Sequence, residues 1–139
     1  MAARWNAAVR PVDTVWHLGD FAHSAEPAAI AALLAGLNGT KHLVTGNNDG
    51  PATRASTGWA SVSAYVELVA DGRALVLCHY PFRTWNGSGK GVLDLHGHSH
   101  GRLSRVPRQI DVGVDVWDFT PVTLATLLGR RRRKPEGIA

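Results

Sequence analysis

The chain has 139 residues, of which 45% are hydrophobic and 19% charged, with a net charge of +4. This is the composition of one ordinary globular domain. The single cysteine, Cys78, excludes an internal disulfide framework and favours a reducing compartment. No apolar run approaches the ~20 residues of a membrane span, and the first residues lack the apolar segment of a secretory signal. We therefore expect a cytoplasmic protein without membrane contact.

The first predicted element is the end of a helix. Residues 2–9 are typical of the last helical turns, and the helix must stop before Pro11 because the residue before proline avoids the α conformation. With so little sequence before it, this helix would expose an apolar face. We therefore expect that sequence preceding it is missing from the chain.

Four short apolar runs predict buried β-strands, because each is aliphatic or β-branched and is bounded by glycine or proline. They cover residues 14–18, 41–45, 74–78 and 92–96. Between the first two, residues 26–37 are rich in alanine and leucine and predict a helix with Pro27 in its first turn. Strand, helix and strand together imply a parallel βαβ unit.

The remaining elements complete a mixed α/β layer structure. Asp71-Gly72 predicts a tight turn between residues 65–70 and 73–78, which would pair as an antiparallel hairpin. Residues 123–128 are compatible with a final short helix. The fold class that follows is α/β, with parallel and antiparallel pairing in its sheets.

Much of the positive charge lies in the basic run at residues 130–134. A block of like charges repels itself, so we predict a domain over residues 1–128 and a solvated, disordered tail over 129–139. The run could also contact nucleic acid or an acidic partner. Because the sequence has no recognised nucleic-acid motif or stacking platform, we expect such binding to be weak at most.

Each of the four predicted strands is followed by residues that can bind a metal ion: Asp20, Asn47, His79, and the pair His98 and His100. In open α/β sheets, sites form outside the carboxyl ends of the strands, so these side chains can converge. Carboxylate, amide and imidazole groups suit Mn, Fe, Zn or Co. The last two histidines would share one face of an extended segment, so reaching two ions requires the chain to turn there.

Four motifs occur in a fixed order along the chain: Gly19-Asp20, Gly46-Asn47-Asn48-Asp49, His79 and Gly97-His98-Ser99-His100. In this order they are similar to the motifs of the calcineurin-like metallophosphoesterase family, over about residues 15–100. Residues 77–81 and 95–101 resemble its small bacterial and phage members, as does Asp111-Val112-Gly113-Val114-Asp115 followed by Trp117. Each motif alone is weak or moderate evidence, whereas the ordered set is strong. The fold implied is a layered α/β sandwich with mixed sheets.

The resemblance also implies a chemistry and a role for each residue. Asp20 would bridge two divalent ions, of which Asn47, His79 and His98 complete the second and His100 ligates the first. Manganese is the expected metal, with Fe, Zn, Co or Ni as alternatives. Phosphate esters would be hydrolysed by a metal-bound hydroxide at this dinuclear centre. Asp49 would orient a neighbouring ligand.

Two departures from the family pattern bear on activity. The family begins with an Asp-x-His motif on its first strand, and no such motif precedes Asp20 here. The first metal then keeps only Asp20 and His100, so either the first strand is missing from this sequence or the chain is a degenerate, non-catalytic metal- or phosphate-binding relative. Many relatives also carry a proton-donating histidine where Asn48 stands. Asparagine donates a hydrogen bond but no proton, so we expect a preference for good leaving groups.

The glycine-rich segment 83–91 follows His79 and offers Arg83 and Asn86 as substrate-binding residues. It fits a mobile connection equally well. The substrate class (monoester, diester or nucleotide) and the oligomeric state stay open.

The other histidines have simpler interpretations. His17, His42 and His96 lie within predicted strands, and we expect them to be buried and hydrogen-bonded rather than metal-bound. His23 is expected to be a solvated loop residue. Cys78 ends an apolar run without an activating neighbour, so we interpret it as a small buried residue rather than a nucleophile.

Overall fold

A computed structural model describes residues 2–22 and 26–132 of the chain. Helices and strands alternate through its first half, and strands dominate the second. In chain order the elements are α1 (Ala2–Ala8), β1 (Thr14–His17), α2 (Pro27–Gly36), β2 (Thr40–Val44), α3 (Pro51–Arg54), β3 (Ser61–Ser63), β4 (Val66–Ala70), β5 (Arg73–Leu77), a 3-10 turn (Ser88–Lys90), β6 (Leu93–His96), β7 (Gln109–Asp111) and α4 (Leu124–Arg132).

The strands form two sheets. One has the order β1-β2-β3 with every pair parallel, and the other has the order β4-β5-β6-β7 with one antiparallel pair followed by two parallel pairs. Residues 2–13 contain α1 and a turn but no strand, so β1 forms an edge of the first sheet among the described elements. Because β1, β2, β5 and β6 each belong to parallel pairs, the loops that follow them leave from the carboxyl ends of strands, where sites form.

The main core lies between the two sheets. Both sheets and α4 contribute to it, through Leu18, Val44, Leu75, Leu77, Leu93, Leu95, Ile110 and Leu127. A second cluster packs α2 on the other side of the first sheet, through Ile30, Leu34, Leu43 and Trp59. Burying each large aliphatic side chain stabilises the fold by about 1.5–3 kcal/mol, so two packed layers hold the strand ends in place. None of the described helices is long and apolar enough to cross a membrane.

All four apolar runs form strands, and the predicted helix over 26–37 is α2. The hairpin is also present: Ala70 pairs with Arg73, and the turn residues Asp71 and Gly72 have φ of 51° and 74°, which is the left-handed pair that this turn requires. Helix α4 continues to Arg132, past the predicted boundary at residue 128. The remainder of the predicted tail, residues 133–139, lies outside the described residues, as does His23.

Helix α1 has a covered apolar side, in contrast to the exposed face expected from the sequence. Trp5 is buried and packs with Val9 against Leu37 at the end of α2. Its indole N–H donates to the carbonyl of Asn38 at 2.9 Å. The helix therefore docks on the α2–β2 connection, which supplies the packing partners that the sequence pattern could not identify.

His17 is half-buried among aromatic rings and gives a testable pH dependence. Its ring packs edge-on against Phe21 with centroids 5.2 Å apart, and its Nδ1 accepts a hydrogen bond from the Gly19 N–H. Burial lowers the pKa of His17 to about 4 from 6.5. Below pH 6.5 the unfolded chain therefore binds a proton here that the folded protein does not, so stability falls as the pH falls toward 4.

We expect the protein to lose about 2 kcal/mol of unfolding free energy from this histidine between about pH 8 and pH 5. His17→Gln keeps an acceptor for the Gly19 N–H and should remove this part of the loss. Urea unfolding of both proteins at the two pH values measures it. Equal losses in the two proteins would mean that His17 is not held neutral.

Candidate metal centre

Four of the proposed ligands meet at the carboxyl ends of β1, β2, β5 and β6. The Oδ1 atom of Asn47 lies 2.9 Å from His79 Nε2 and 3.1 Å from His98 Nδ1. The two ring nitrogens are 3.2 Å apart, and Asp20 Oδ2 is 3.5 Å from His79 Nε2. We call these four residues the strand-end cluster. Metal–ligand bonds of about 2.1 Å place neighbouring ligand atoms about 3.0–3.4 Å apart, which is the spacing seen here.

Two glycines allow this close approach. A Cβ at Gly19 would lie 2.6 Å from His79 Nδ1 and 2.6 Å from the Gly46 nitrogen. A Cβ at Gly46 would lie 2.7 Å from the Asp20 nitrogen, 2.9 Å from His79 Cε1, and against Asp20 Oδ1. The backbones after β1 and β2 therefore touch each other and His79 directly, so any larger residue would push the cluster apart.

The proton positions on His79 bear on whether the cluster suits a cation. Its Nδ1 is 2.7 Å from the Leu18 carbonyl oxygen, which only accepts, so this nitrogen carries the proton. In the neutral ring, Nε2 then presents a lone pair to the oxygens of Asn47 and Asp20. Lone pairs facing one another at these distances require a shared proton or a cation between them. The donor set thus fits one divalent ion.

The Asp20 carboxylate lies farther from His79 Nε2, at 3.5 Å, than the other two ligand atoms do. Its Oδ1 accepts from the Asn48 backbone N–H at 2.8 Å, and its Oδ2 accepts from the Asn48 side chain at 3.2 Å. Within residues 2–22 and 26–132, no three His, Cys, Asp or Glu side chains are arranged to hold a metal by themselves. The cluster depends on the amide oxygen of Asn47 to link its two imidazoles, with the Asp20 carboxylate held beside them by Asn48.

Asp49 lies beneath the cluster and joins the loops that carry it. Only 6% of Asp49 is exposed. One carboxylate oxygen accepts from the Asp20 and Gly46 N–H groups at 2.8 and 2.7 Å, and the other from the Phe21 N–H at 2.8 Å. These charge-assisted bonds tie the turn after β1 to the turn after β2.

His100 is positioned separately from the other proposed ligands. Its Nδ1 is 2.7 Å from Asp115 Oδ2, in the turn after β7. The chain turns here as the two-ion hypothesis requires, because His98 and His100 have φ of 63° and 51°. Asp20 is also left-handed, at 55°. Non-glycine residues with this conformation are strained by about 1–2 kcal/mol and concentrate at functional sites.

The sequence of the chain is similar to a known protein family and to two phage proteins. The family model of the calcineurin-like phosphoesterase superfamily domain matches residues 2–115. The chain belongs to this superfamily. It is 34% identical over 154 residues to the Gene 66 protein of Mycobacterium phage D29. This alignment covers 88% of the chain and 77% of the phage protein. The chain is 31% identical over 150 residues to the Gene 66 protein of phage L5, covering 84% and 72%.

A solved structure supports the fold of this superfamily member. The protein of unknown function AQ665 from Aquifex aeolicus superposes with a TM-score of 0.72 over 93% of the chain and 82% of its own length. At 21% identity, this likeness concerns the fold alone. The layered α/β sandwich with mixed sheets is therefore confirmed, and so is the family resemblance that the ordered motifs indicated.

The contacts of the two proposed substrate residues do not involve the strand-end cluster. The Asn86 amide donates to Glu67 on β4 at 2.7 Å. Asn86 lines a groove over β4 and β5 with Val69 and Val92, and no cluster residue lines that groove. Arg83 is exposed at the start of the same segment. Arg83 thus keeps its guanidinium accessible to an anion, whereas the amide of Asn86 is already engaged.

Of the remaining histidines, His96 is buried as expected and His42 is only half-buried, and both are hydrogen-bonded. His42 Nδ1 contacts Ser61 Oγ at 2.6 Å, and its ring stacks on Trp16 with centroids 4.2 Å apart. His96 is buried and its Nδ1 contacts the Gly97 carbonyl at 2.8 Å. Cys78 is a buried free thiol. Their contacts are with residues outside the strand-end cluster, so these side chains serve the packing around the cluster.

Sequence reasoning missed Asp115 as a partner of the site. The residue was part of a motif that resembles the family, but a carboxylate five positions after Ile110 gives no sign of which loop it meets. Only the parallel pairing of β6 with β7 brings the two exit turns side by side. A carboxylate following a strand next to a ligand-bearing strand was the available signal.

Proposed function

We propose that this chain hydrolyses phosphate esters with divalent metal ions held at the strand-end cluster. The observation that carries the proposal is the meeting of His79 Nε2, His98 Nδ1 and Asn47 Oδ1 within 3.2 Å, with the Asp20 carboxylate beside them. Membership of a phosphoesterase superfamily supports phosphate esters as the substrate class. Manganese is the metal that we propose, with Fe, Zn, Co or Ni as alternatives.

A divalent ion held by these ligands would supply polarisation of a phosphoryl oxygen and a lowered pKa of bound water. The protein's contribution is to hold the ligands rigidly. The Leu18 carbonyl fixes the tautomer of His79, and Asn48 fixes the carboxylate of Asp20. Asp49 keeps the turns after β1 and β2 together. Arg83, exposed on the segment after His79, is proposed to bind the phosphate group of the substrate.

For a dinuclear centre we propose that Asp20 is shared and that His100 binds the other ion. Catalytic metal sites usually have three protein ligands, and Asp20 and His100 would be two. An ion held by His100 should therefore bind more weakly than an ion held by the strand-end cluster.

The strand-end cluster by itself also supports a second candidate function. A relative that binds one metal ion, or a phosphate group through it, needs only the strand-end cluster. Such a protein would bind Mn²⁺ and phosphate without turning over an ester. The two candidates differ in turnover, not in metal binding.

The test is hydrolysis of an activated aryl phosphodiester and monoester by purified protein, after chelation and after adding Mn²⁺. We expect no turnover in chelator and recovery with Mn²⁺. Calorimetric Mn²⁺ binding without turnover would support the second candidate instead. A folded protein that neither binds Mn²⁺ nor hydrolyses either ester would contradict both.

Because asparagine stands at position 48, we expect the rate to depend on the leaving group of the ester. With no proton donor at this position, the rate should fall steeply as the leaving group becomes more basic. Asn48→His introduces an acid beside Asp20, and general acids contribute about 100-fold or more where they act. We expect it to raise hydrolysis of an alkyl ester by about 10-fold or more relative to an activated aryl ester. Both substrates are measured with both proteins. If the ratio of the alkyl-ester rate to the aryl-ester rate is the same in the variant and the wild type, the residue at position 48 does not act on the leaving group.

A further inference from the structure

The turn after β7 is built against the turn that carries His100. Asp111 accepts a hydrogen bond from the Gly101 N–H through Oδ2 and from the Gly113 N–H through Oδ1, each at 2.8 Å. The Trp117 indole donates to the Asp111 carbonyl at 2.8 Å. Asp111 thus joins the two turns, and the residues between Gly113 and Trp117 are held beside His100.

Asp115 occupies this position and meets the imidazole of His100 directly. The two side chains are 2.7 Å apart between Oδ2 and Nδ1, with 63% of the His100 side chain and 35% of the Asp115 side chain exposed. An ionised carboxylate only accepts hydrogen bonds, so Nδ1 of His100 must carry the proton in this contact. The neutral ring then has its lone pair on Nε2.

We propose that Asp115 is a positioning residue, which fixes His100 as the Nδ1–H tautomer and keeps Nε2 as the nitrogen that binds a metal ion. The metal-binding part of this role rests on the proposed function, whereas the tautomer does not. Metal-binding histidines commonly have their second nitrogen held by a carboxylate or carbonyl, which sets the tautomer and strengthens the ligand.

The neighbouring histidines make the assignment specific. His79 Nδ1 is held by the backbone carbonyl of Leu18, so its Nε2 faces the cluster. His98 turns the opposite nitrogen, Nδ1, toward Asn47 and His79. His98 thus presents Nδ1 to the cluster, whereas the contact of His100 Nδ1 with Asp115 leaves Nε2 as the nitrogen of His100 that remains for a metal ion. A side-chain hydrogen bond is needed to impose this difference on His100, whose ring is largely exposed.

The tautomer can be measured without any metal. Two-bond ¹H–¹⁵N correlation spectra of histidine-labelled protein at about pH 8 distinguish the two tautomers, and His100→Gln assigns the resonance. We expect the Nδ1–H form in the wild-type protein. In Asp115→Ala it should revert to the Nε2–H form that exposed histidine favours in water, and Asp115→Asn should retain only part of the preference.

Binding of Mn²⁺ supplies a second readout, with a control on the same turn. Asp115→Asn should weaken Mn²⁺ binding by about 10- to 100-fold at the weaker step. Asp118→Asn should not, because Asp118 pairs with Arg4 on the surface. An Nε2–H tautomer in the wild type, or the same tautomer in wild type and Asp115→Ala, would overturn the proposal. If the tautomer changes as expected while Mn²⁺ fails to bind, the proposed function fails and the orienting contact stands.

Discussion

Asp20→Asn is expected to lower Mn²⁺-dependent ester hydrolysis at least about 100-fold, because it removes the only carboxylate of the strand-end cluster. The asparagine can adopt the left-handed backbone at this position, where φ is 55°. It also keeps an oxygen that can accept from the Asn48 N–H. The loss therefore reports on the charge of the ligand rather than on folding.

Asp71→Asn is the matched control. Asp71 has nearly the same backbone conformation, with φ of 51°, but lies in the β4–β5 turn at the opposite end of β5 from His79. Its substitution should leave the rate within about twofold, as expected for an exposed residue away from the site. Steady-state rates of the three proteins at saturating Mn²⁺ measure the effect. Equal activity of the Asp20 variant and the wild type would exclude Asp20 from the metal centre.

Asp49→Asn is expected to lower the unfolding free energy by about 3 kcal/mol or more. The carboxylate accepts three backbone N–H bonds while almost fully buried. The amide has one oxygen, so its NH₂ group must face a backbone donor that water cannot reach. Charged acceptors contribute about 1.5–3 kcal/mol per bond, and a buried donor without a partner costs a similar amount.

Asp13→Asn makes the same chemical change in a carboxylate at the surface, where Asp13 also pairs with the Arg10 guanidinium at 2.8 Å. Surface ion pairs contribute little to stability. Asp13 also accepts from a backbone N–H, that of Arg10, but on the surface. Urea unfolding should therefore show a much smaller loss for this variant. The Asp49 variant should also bind Mn²⁺ more weakly, because the turns after β1 and β2 lose their common tie. Equal unfolding midpoints for the two variants would disprove the role assigned to Asp49.

The sequence could predict the parts of the fold that repeat a strong local pattern. Hydrophobicity predicts the four apolar strands, and turn chemistry predicts the Asp71-Gly72 hairpin. The shortest strands have no such pattern in the sequence. Strand β3, Ser61–Ser63, and strand β7, Gln109–Asp111, have three residues each and form because neighbouring strands offer them hydrogen bonds.

The convergence of the proposed ligands could be predicted because the positions after strands converge in any parallel sheet. The partners of those ligands could not, because they come from contacts far apart in the sequence. Asp49 reaches back to Asp20 and Phe21, and Asp115 reaches back to His100. The contact of Asn86 is of the same kind: its place in a polar loop predicts substrate binding, and the sequence gives no sign that its amide donates to Glu67 on β4.

Locating the ion tests the central claim most directly. Crystals soaked in Mn²⁺ give an anomalous signal that marks the metal independently of any assay. We predict a peak in contact with His79 Nε2, His98 Nδ1, Asn47 Oδ1 and the Asp20 carboxylate. Ordered strand ends without a peak at this cluster, in crystals soaked at a saturating Mn²⁺ concentration, would contradict the assignment of these four residues as a metal centre.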